Sequence, residues 1–257
     1  MRKAGGSSFG SGGPGVLALA ALLLGIVVGV VGTYTLSLRR LPPSETPATA
    51  SAVPIPMRAF PEPPWRPPGL IEARTIASTP FARFEVHRVR TESGVVVDDW
   101  LWTDERTHVN ILVHLRDKNR YLLLHQTKYG LQGRKYAVVG GLFNEGETDP
   151  VACAHRELLE EVGLVAEKMV STGAYRVQVN RGGGILHTFL ALNCSQAPKA
   201  ALPADFENDY ESLEQRLLTT EELLRVALSG EVGEVQWVAA VALGLLYQEH
   251  ARALGLA

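Results

Sequence analysis

The apolar positions of the chain fall into two blocks, which a proline-rich segment separates. The first block is the uncharged run 16–38, whose 23 residues would span about 34 Å as a helix, enough to cross a bilayer core. The second block begins near residue 80 and alternates apolar with polar positions in short runs. This pattern predicts a membrane-spanning helix, a spacer and a strand-rich domain.

The N-terminal run is interpreted as a retained single-pass anchor, because it is long and ends in Arg39-Arg40. A cleaved targeting peptide is the alternative, since the start of the chain is basic, rich in Ser and Gly and free of acids. Positive charge flanks both ends of this run. The sequence therefore predicts neither which membrane the helix crosses nor which side the domain faces. Ten of the 15 prolines lie within 42–68 and predict an extended linker. The predicted divisions are a tail at 1–15, a transmembrane helix at 16–38, a linker at 39–79 and a domain at 80–257.

Within the domain, alternation predicts strands and end signals predict helices. Asp149-Pro150 starts a helix that runs to about Val162 and stops at Gly163. Two further helices are predicted from Thr219 or Thr220 and over 234–249. Strands interleaved with few helices indicate an α/β fold with a mixed sheet. The predicted strands are 84–89, 94–102, 107–115, 121–129, 136–141, 168–178, 185–192 and 213–218.

Composition excludes several classes of protein. The net charge of −2 leaves no basic footprint for nucleic acid, which is therefore not expected as a partner. The two cysteines, Cys153 and Cys194, are too few for a disulfide framework and lie in no zinc-binding spacing.

The candidate chemistry is concentrated in 140–164, GGLFNEGETDPVACAHRELLEEVGL. On a helical period Glu157, Glu160 and Glu161 share one face, where like charges repel. Carboxylates beside a glycine-rich turn suit a hard divalent cation, Mg²⁺ or Mn²⁺, and such an ion suits the diphosphate of a nucleotide. A solvated acidic helix face is the alternative.

This stretch resembles the Nudix box, G-x5-E-x7-R-E-U-x-E-E-x-G-U, in which U is aliphatic. Residues 141–147 fit the first half and residues 156–164 fit the second half at every specified position. The departure is one extra residue between the halves, because 148–155 supplies eight residues instead of seven. A loop can absorb this residue without moving the helical glutamates relative to each other.

The resemblance implies a Nudix hydrolase with an α/β/α sandwich, which uses Mg²⁺ or Mn²⁺ to hydrolyse a nucleoside diphosphate linked to another moiety. By position in the motif, Glu157 and Glu161 would be the principal metal ligands and Glu160 would assist them. Arg156 would orient the glutamates through Glu147. The implied metal ligands are Gly140 through its carbonyl, Glu147, Glu157 and Glu161.

The layout is similar to the ADP-ribose/ADP-sugar diphosphatase branch, whose products would be AMP and a sugar phosphate. This similarity rests on a leading hairpin region, the segment 126–129 and a late acidic stretch at 205–219. That branch often takes a catalytic base from the late loop, which makes Glu211 the candidate, with Glu207 and Glu214 behind it. A surface acidic loop is the alternative. The branch is also commonly dimeric, so a homodimer is an expected partner.

Lys128, Arg134 and Trp100 are further candidates for substrate binding. Lys128 or Arg134 could meet a phosphate, or each could be a solvated surface charge. Trp100 and Trp102 face one side of a strand, where they could stack an adenine, meet a dimer partner or pack in the core.

Two other functions stay open from the sequence. One is a Nudix hydrolase for a dinucleoside polyphosphate, coenzyme A or NADH, and the other is a non-catalytic, membrane-tethered nucleotide-binding module. Because residues 1–69 contain no part of the motif, a chain that starts near residue 70 is expected to be soluble and active.

Overall fold

A computed structural model of the protein describes residues 57–62, 64–203 and 213–254. These residues belong to a compact unit that extends from Ile55 to Ala257. The predicted tail, the predicted transmembrane helix and Glu211 lie outside the described residues. Over the ranges that are described, no helix is long and apolar enough to cross a membrane.

The described ranges contain eleven strands and three α-helices. The helices are α1 (Pro150–Val162), α2 (Thr220–Leu228) and α3 (Val235–Ala253), with a short 3₁₀ turn at Lys199–Ala201. The strands are β1 (Leu70–Ser78), β2 (Ala82–Arg90), β3 (Val96–Glu105), β4 (His108–Leu115), β5 (Arg120–Gln126), β6 (Lys135–Ala137), β7 (Val139–Leu142), β8 (Leu164–Val165), β9 (Lys168–Gln178), β10 (Gly182–Gln196) and β11 (Glu214–Leu218).

The strands form a mixed sheet, as predicted. Its main path runs β1-β2-β3-β10-β4-β5-β11, and β6, β7, β8 and β9 pair with strands of that path. Strand β10 runs parallel to β3 and β4, whereas the other pairings between these strands are antiparallel. The long strand β10 therefore joins the leading hairpin region to the rest of the sheet.

Two apolar clusters lie on opposite faces of the central strands. Along β4, Val109 and Ile111 belong to the cluster that contains Leu158 of α1, whereas Leu112 belongs to the cluster that contains Leu223 of α2 and helix α3. Both faces of a strand that is buried on two sides are mostly apolar, which explains the unbroken apolar run Ile111-Leu112-Val113 in β4. The predicted mixed α/β fold with helices around the sheet is confirmed.

The predicted helix ends are also confirmed. The Asp149 side chain accepts a hydrogen bond from the Val151 amide at 2.9 Å, and Pro150 occupies the first turn of α1. Gly163 ends α1 in the left-handed region at φ 66°, where a residue without Cβ is unstrained. Thr219 caps α2 in a reciprocal capping box with Glu222.

Two differences from the sequence prediction concern strands. The run 136–141 is divided between β6 and β7, which pair with β5 and β4 respectively. The predicted linker at 39–79 contains β1, so the folded region starts before residue 80. Strand β1 pairs only with β2 along the main path and leaves most of its residues exposed or half-buried, so it lacks the apolar alternation that marks a strand.

Candidate active site

The double glycine of the motif lies where β7 meets helix α1. Gly140 and Gly141 pair with Asn110 and Val109 of β4, and α1 packs against β7. A Cβ at position 141 would lie 2.3 Å from the carboxylate atoms of Glu157, closer than such atoms approach. Glycine at 141 therefore leaves the space that the Glu157 carboxylate occupies.

Arg156 gathers the glutamates of the motif around one guanidinium group. Its Nη1 donates to Glu157 at 2.7 Å and to Glu160 at 2.8 Å. Its Nη2 donates to Glu147 at 2.8 Å and to the carbonyl of Leu142 at 3.0 Å. The planar fork of arginine suits this multiple pairing, so Arg156 orients side chains from both halves of the motif.

Glu161 lies one helical turn after Glu157 in α1, and its side chain also reaches the glycine pair. Its Oε2 accepts a hydrogen bond from the backbone amide of Gly140 at 3.1 Å. Glu157 and Glu161 are one turn apart and both lie against the glycine pair, as the shared helix face predicted.

The extra residue between the halves of the motif does not displace Glu147. The loop before α1 places its carboxylate on Arg156, and the amide of Asn144 also donates to it at 2.9 Å. The helix begins only at Pro150, so residues 148 and 149 take up the additional length.

The charges of the cluster are unevenly balanced. Burial raises the pKa of Glu157, although Arg156 opposes this effect. The hydrogen bond from Arg156 lowers the pKa of Glu147. Burial acts to lower the pKa of Arg156, but the glutamates outweigh it and raise that pKa. Glu157 is thus a desolvated carboxylate whose negative charge Arg156 only partly offsets.

Within the described ranges, no group of three or more His, Cys, Asp or Glu side chains is arranged to hold a metal ion. The carboxylates of Glu157 and Glu160 turn to Arg156 instead. The donor chemistry nevertheless fits a hard divalent cation, because Glu157 and Glu161 and the Gly140 backbone supply only oxygen ligands in one place. Two observations are consistent with a cation here: Gly141 leaves room for the Glu157 carboxylate, and Arg156 offsets only part of the charge of that carboxylate.

The other predicted site residues lie elsewhere in the fold. Glu214 pairs with His125 across β11 and β5, and its carboxylate lies 3.8 Å from Arg134 and 2.7 Å from Arg216. Lys128 lies in the loop between β5 and β6 and is half-buried. Arg134 donates to the carbonyl of His125. These contacts associate Arg134 and Glu214 with the edge of the sheet, and Glu214 does not join the carboxylates of α1.

Trp100 and Trp102 face the same side of β3 and line a cavity of about 560 Å³. We call this the tryptophan cavity. Trp102 is buried and stacks on His87, with ring centroids 5.2 Å apart, as the core-packing alternative predicted. Trp100 is half-buried and donates from its indole nitrogen to the carbonyl of Asn180 at 2.6 Å. The cavity has three indole rings, the third being that of Trp65.

The tryptophan cavity and the carboxylates of α1 are formed by different parts of the chain. Arg176, which lines the cavity, pairs with Ile185 of β10, whereas Asn110, which faces Gly140, pairs with Thr188. None of the residues that line the cavity belongs to the glycine and glutamate motif.

Sequence reasoning missed the residues that precede β1. The side chain of Glu62 accepts hydrogen bonds from the backbone amide and the hydroxyl of Thr107 at 2.7 and 3.1 Å. Arg66 pairs with Glu85 and Asp104, and Trp65 lies 6.0 Å from Trp102 between ring centroids. The available signal was a Trp-Arg pair inside the proline run PEPPWRPP, which is unusual for a plain spacer.

Comparison with known families now defines the class of protein. A model of the NUDIX domain matches residues 105–254, more than half of the chain. The chain therefore belongs to the Nudix hydrolase family, and the predicted resemblance is confirmed.

The fold is also similar to that of solved structures. The crystal structure of an ADP compounds hydrolase superposes with a TM-score of 0.58 and 18% sequence identity, covering 76% of this chain and 100% of that chain. At this identity the similarity concerns the fold. No curated protein matches the chain.

Proposed function

We propose that the chain hydrolyses the diphosphate bond of a nucleoside diphosphate linked to another moiety, in a reaction that requires a divalent cation. The observation that carries this proposal is the position of Glu157 and Glu161, which lie against Gly140 and Gly141 and are held by Arg156 and a backbone amide. Burial of the Glu157 carboxylate beside Glu161 is costly, and a bound cation would offset that cost.

The metal would be Mg²⁺ or Mn²⁺, held by Glu157, Glu161 and the Gly140 carbonyl. When bound, it would offset the charge of the diphosphate and lower the pKa of a water molecule. Glu160 assists from the exposed side of the helix, and Glu147 completes the metal-binding set. Arg156 holds the glutamates in position, since it already bonds to both halves of the motif.

Glu211 is proposed as the catalytic base. It precedes β11 by three positions and lies outside the described residues. Glu214 is a weaker candidate than it was from the sequence, because it pairs with Arg216 and lies beside Arg134 and His125.

We propose ADP-ribose or an ADP-sugar as the substrate, with AMP and a sugar phosphate as products. The fold of the ADP compounds hydrolase supports this choice, as does the late acidic stretch that leads into β11. The alternatives are a dinucleoside polyphosphate, coenzyme A or NADH, since the motif acts on the diphosphate that they share. Lys128 and Arg134 are proposed to meet the phosphates.

Trp100 is proposed to stack on the base of the nucleotide inside the tryptophan cavity. Because the ADP-sugar branch that the chain resembles is commonly dimeric, we propose a homodimer in which the cavity of one copy serves the carboxylates of its partner copy. The N-terminal run 16–38 is proposed to anchor this assembly to a membrane.

The test is a hydrolysis panel that compares ADP-ribose, an ADP-sugar, a diadenosine polyphosphate, coenzyme A and NADH with Mg²⁺ present. We expect the highest kcat/KM for ADP-ribose or the ADP-sugar, with AMP as a product. A higher kcat/KM for coenzyme A or the diadenosine compound would contradict the substrate assignment and leave the reaction class intact.

A further inference from the structure

The segment before β1 is bound to the domain by specific polar contacts. We call residues 57–62 and 64–69 the strap. At its start, the amide of Arg58 donates to the carbonyl of Ser78 at 2.6 Å. Further along, Glu62 binds the amide and hydroxyl of Thr107 at the start of β4. The strap therefore follows a defined path over the domain instead of acting as a spacer.

Arg66 completes a buried ion cluster beneath the strap. Glu85 and Asp104 are only 5% and 8% exposed. Arg83 contacts both carboxylates, at 3.3 and 2.5 Å. Arg66 contacts the same two groups at 2.6 and 3.0 Å and supplies the second positive charge. Because buried carboxylates need compensating charge, undocking of the strap leaves an unbalanced acidic pair.

The residue before Arg66 forms one wall of the tryptophan cavity. Trp65 lies over Trp102 with an interplanar angle of 35°, and the guanidinium of Arg176 lies 4.5 Å from its ring centroid. Pro67, Pro68 and Gly69 extend the same wall. Residues of β2 and β3, including Trp100 and Trp102, also line the cavity. Without the strap, the cavity would lose Trp65, Pro67, Pro68 and Gly69 from its lining.

We propose that the strap is part of the nucleotide-binding apparatus: Trp65 contacts the base from one side of the cavity, and Arg66 is the positioning residue that holds Trp65 there. This inference rests on the proposed function, which assigns the base to the cavity. Stacking between indoles suits a planar heterocycle, and Arg176 and Arg90 at the cavity suit a phosphate attached to it.

Binding of the base and docking of the strap are then coupled. Only the docked strap supplies the third indole, so the apparent affinity falls in proportion to the docked fraction.

The experiment measures AMP binding by calorimetry and ADP-ribose hydrolysis on the full chain. For Trp65→Ala we expect the Kd for AMP and the KM for ADP-ribose to rise at least about tenfold, with kcat changed by less than about twofold. Trp65→Phe keeps a ring and should recover most of the affinity. Arg66→Met should raise the same KM and expose the strap to limited proteolysis.

Arg88→Ala is the control, because it removes an exposed arginine side chain that pairs with Asp98 and lies outside both the strap and the cavity lining. It should leave the Kd, KM and kcat unchanged. AMP binding by Trp65→Ala with the wild-type Kd, while ADP-ribose is still hydrolysed, would overturn the inference alone. Absence of both AMP binding and hydrolysis in the wild-type chain would overturn the proposed function and the inference with it.

Discussion

At the scale of single residues, the site depends on a glycine that makes room for a carboxylate. A methyl group at position 141 would lie 2.3 Å from the Glu157 carboxylate. Gly141→Ala should therefore displace Glu157 and lower kcat by roughly 10²-fold, the usual cost of disturbing one group that acts on transition-state charge. Gly130→Ala is the control, because a Cβ there meets nothing within 4 Å. Wild-type kcat in Gly141→Ala would show that the position of Glu157 is not needed.

A second residue-scale prediction concerns acid stability at the ion cluster beneath the strap. Burial acts to raise the pKa of Asp104, but hydrogen bonds from Arg66, Trp102 and Arg83 outweigh it and hold the pKa below its ordinary value of 3.8. A lowered folded pKa adds stability that is complete above the unfolded pKa and is lost as the pH falls through the folded pKa.

Asp104→Asn should therefore cost stability near neutral pH, and the difference from wild type should shrink below pH 3.8. Urea unfolding from about pH 7 down to about pH 2 measures this difference. Asp98→Asn is the control, because its ion pair with Arg88 is exposed to solvent. A gap between Asp104→Asn and wild type that stays constant across the acid range would contradict the assignment.

The sequence predicted these residues unequally for physical reasons. Glu157, Glu160 and Glu161 were predicted together because helical spacing alone places them on one face. The pairing of Arg156 with Glu147 came from the family resemblance, because it joins a loop to a helix across eight intervening residues. Arg66 and Asp104 lie 38 residues apart, and no local pattern records such a contact.

At the scale of elements, the strap changes an expectation drawn from the sequence. A chain that starts near residue 70 was expected to be soluble and active, but such a chain lacks Glu62, Trp65 and Arg66. Loss of Arg66 leaves Arg83 as the one arginine among the described residues that contacts Glu85 and Asp104, so unfolding should become easier by up to about 3 kcal/mol.

The test compares a fragment that starts at residue 56 with one that starts at residue 70. Urea unfolding at neutral pH should show a lower midpoint for the shorter fragment with a similar slope. Equal midpoints would mean that the strap adds no stability.

The element scale also shows what periodicity can and cannot predict. The predicted strands 107–115, 121–129 and 185–192 correspond to β4, β5 and β10, whose buried apolar residues give a pattern that the local sequence shows. Strand β1 was assigned to the linker because eight of its nine residues are exposed or half-buried, which leaves little apolar pattern to detect. The long-range parallel pairing of β10 with β4 depends on the whole sheet, and no local signal specifies it.

At the scale of the whole molecule, the proposed homodimer predicts complementation between two defective variants. Trp100→Ala disables the cavity, and Glu157→Gln disables the carboxylate group. In a mixed dimer, one site would combine the intact cavity of one copy with the intact carboxylates of the other.

Co-expression of the two variants should therefore restore ADP-ribose hydrolysis that neither variant shows alone at low substrate concentration. Co-expression of Glu157→Gln with Glu161→Gln is the control, because both changes disable the same group and no intact site can form. Failure of the first pair to regain activity, with mixed dimers shown to be present, would contradict the shared site.

The central claim is that the glutamates of α1 act on a diphosphate through a divalent cation, and Mg²⁺ titration of kcat for ADP-ribose hydrolysis tests it most directly. Wild-type activity should require the cation, and Glu157→Gln and Glu161→Gln should each lower kcat at saturating Mg²⁺ by roughly 10²–10⁴-fold. Glu147→Gln should cost less, and Glu145→Gln should be nearly silent. Near-wild-type kcat in both helix variants, while Mg²⁺ still raises the melting temperature of the wild type, would show a structural cation and contradict the account.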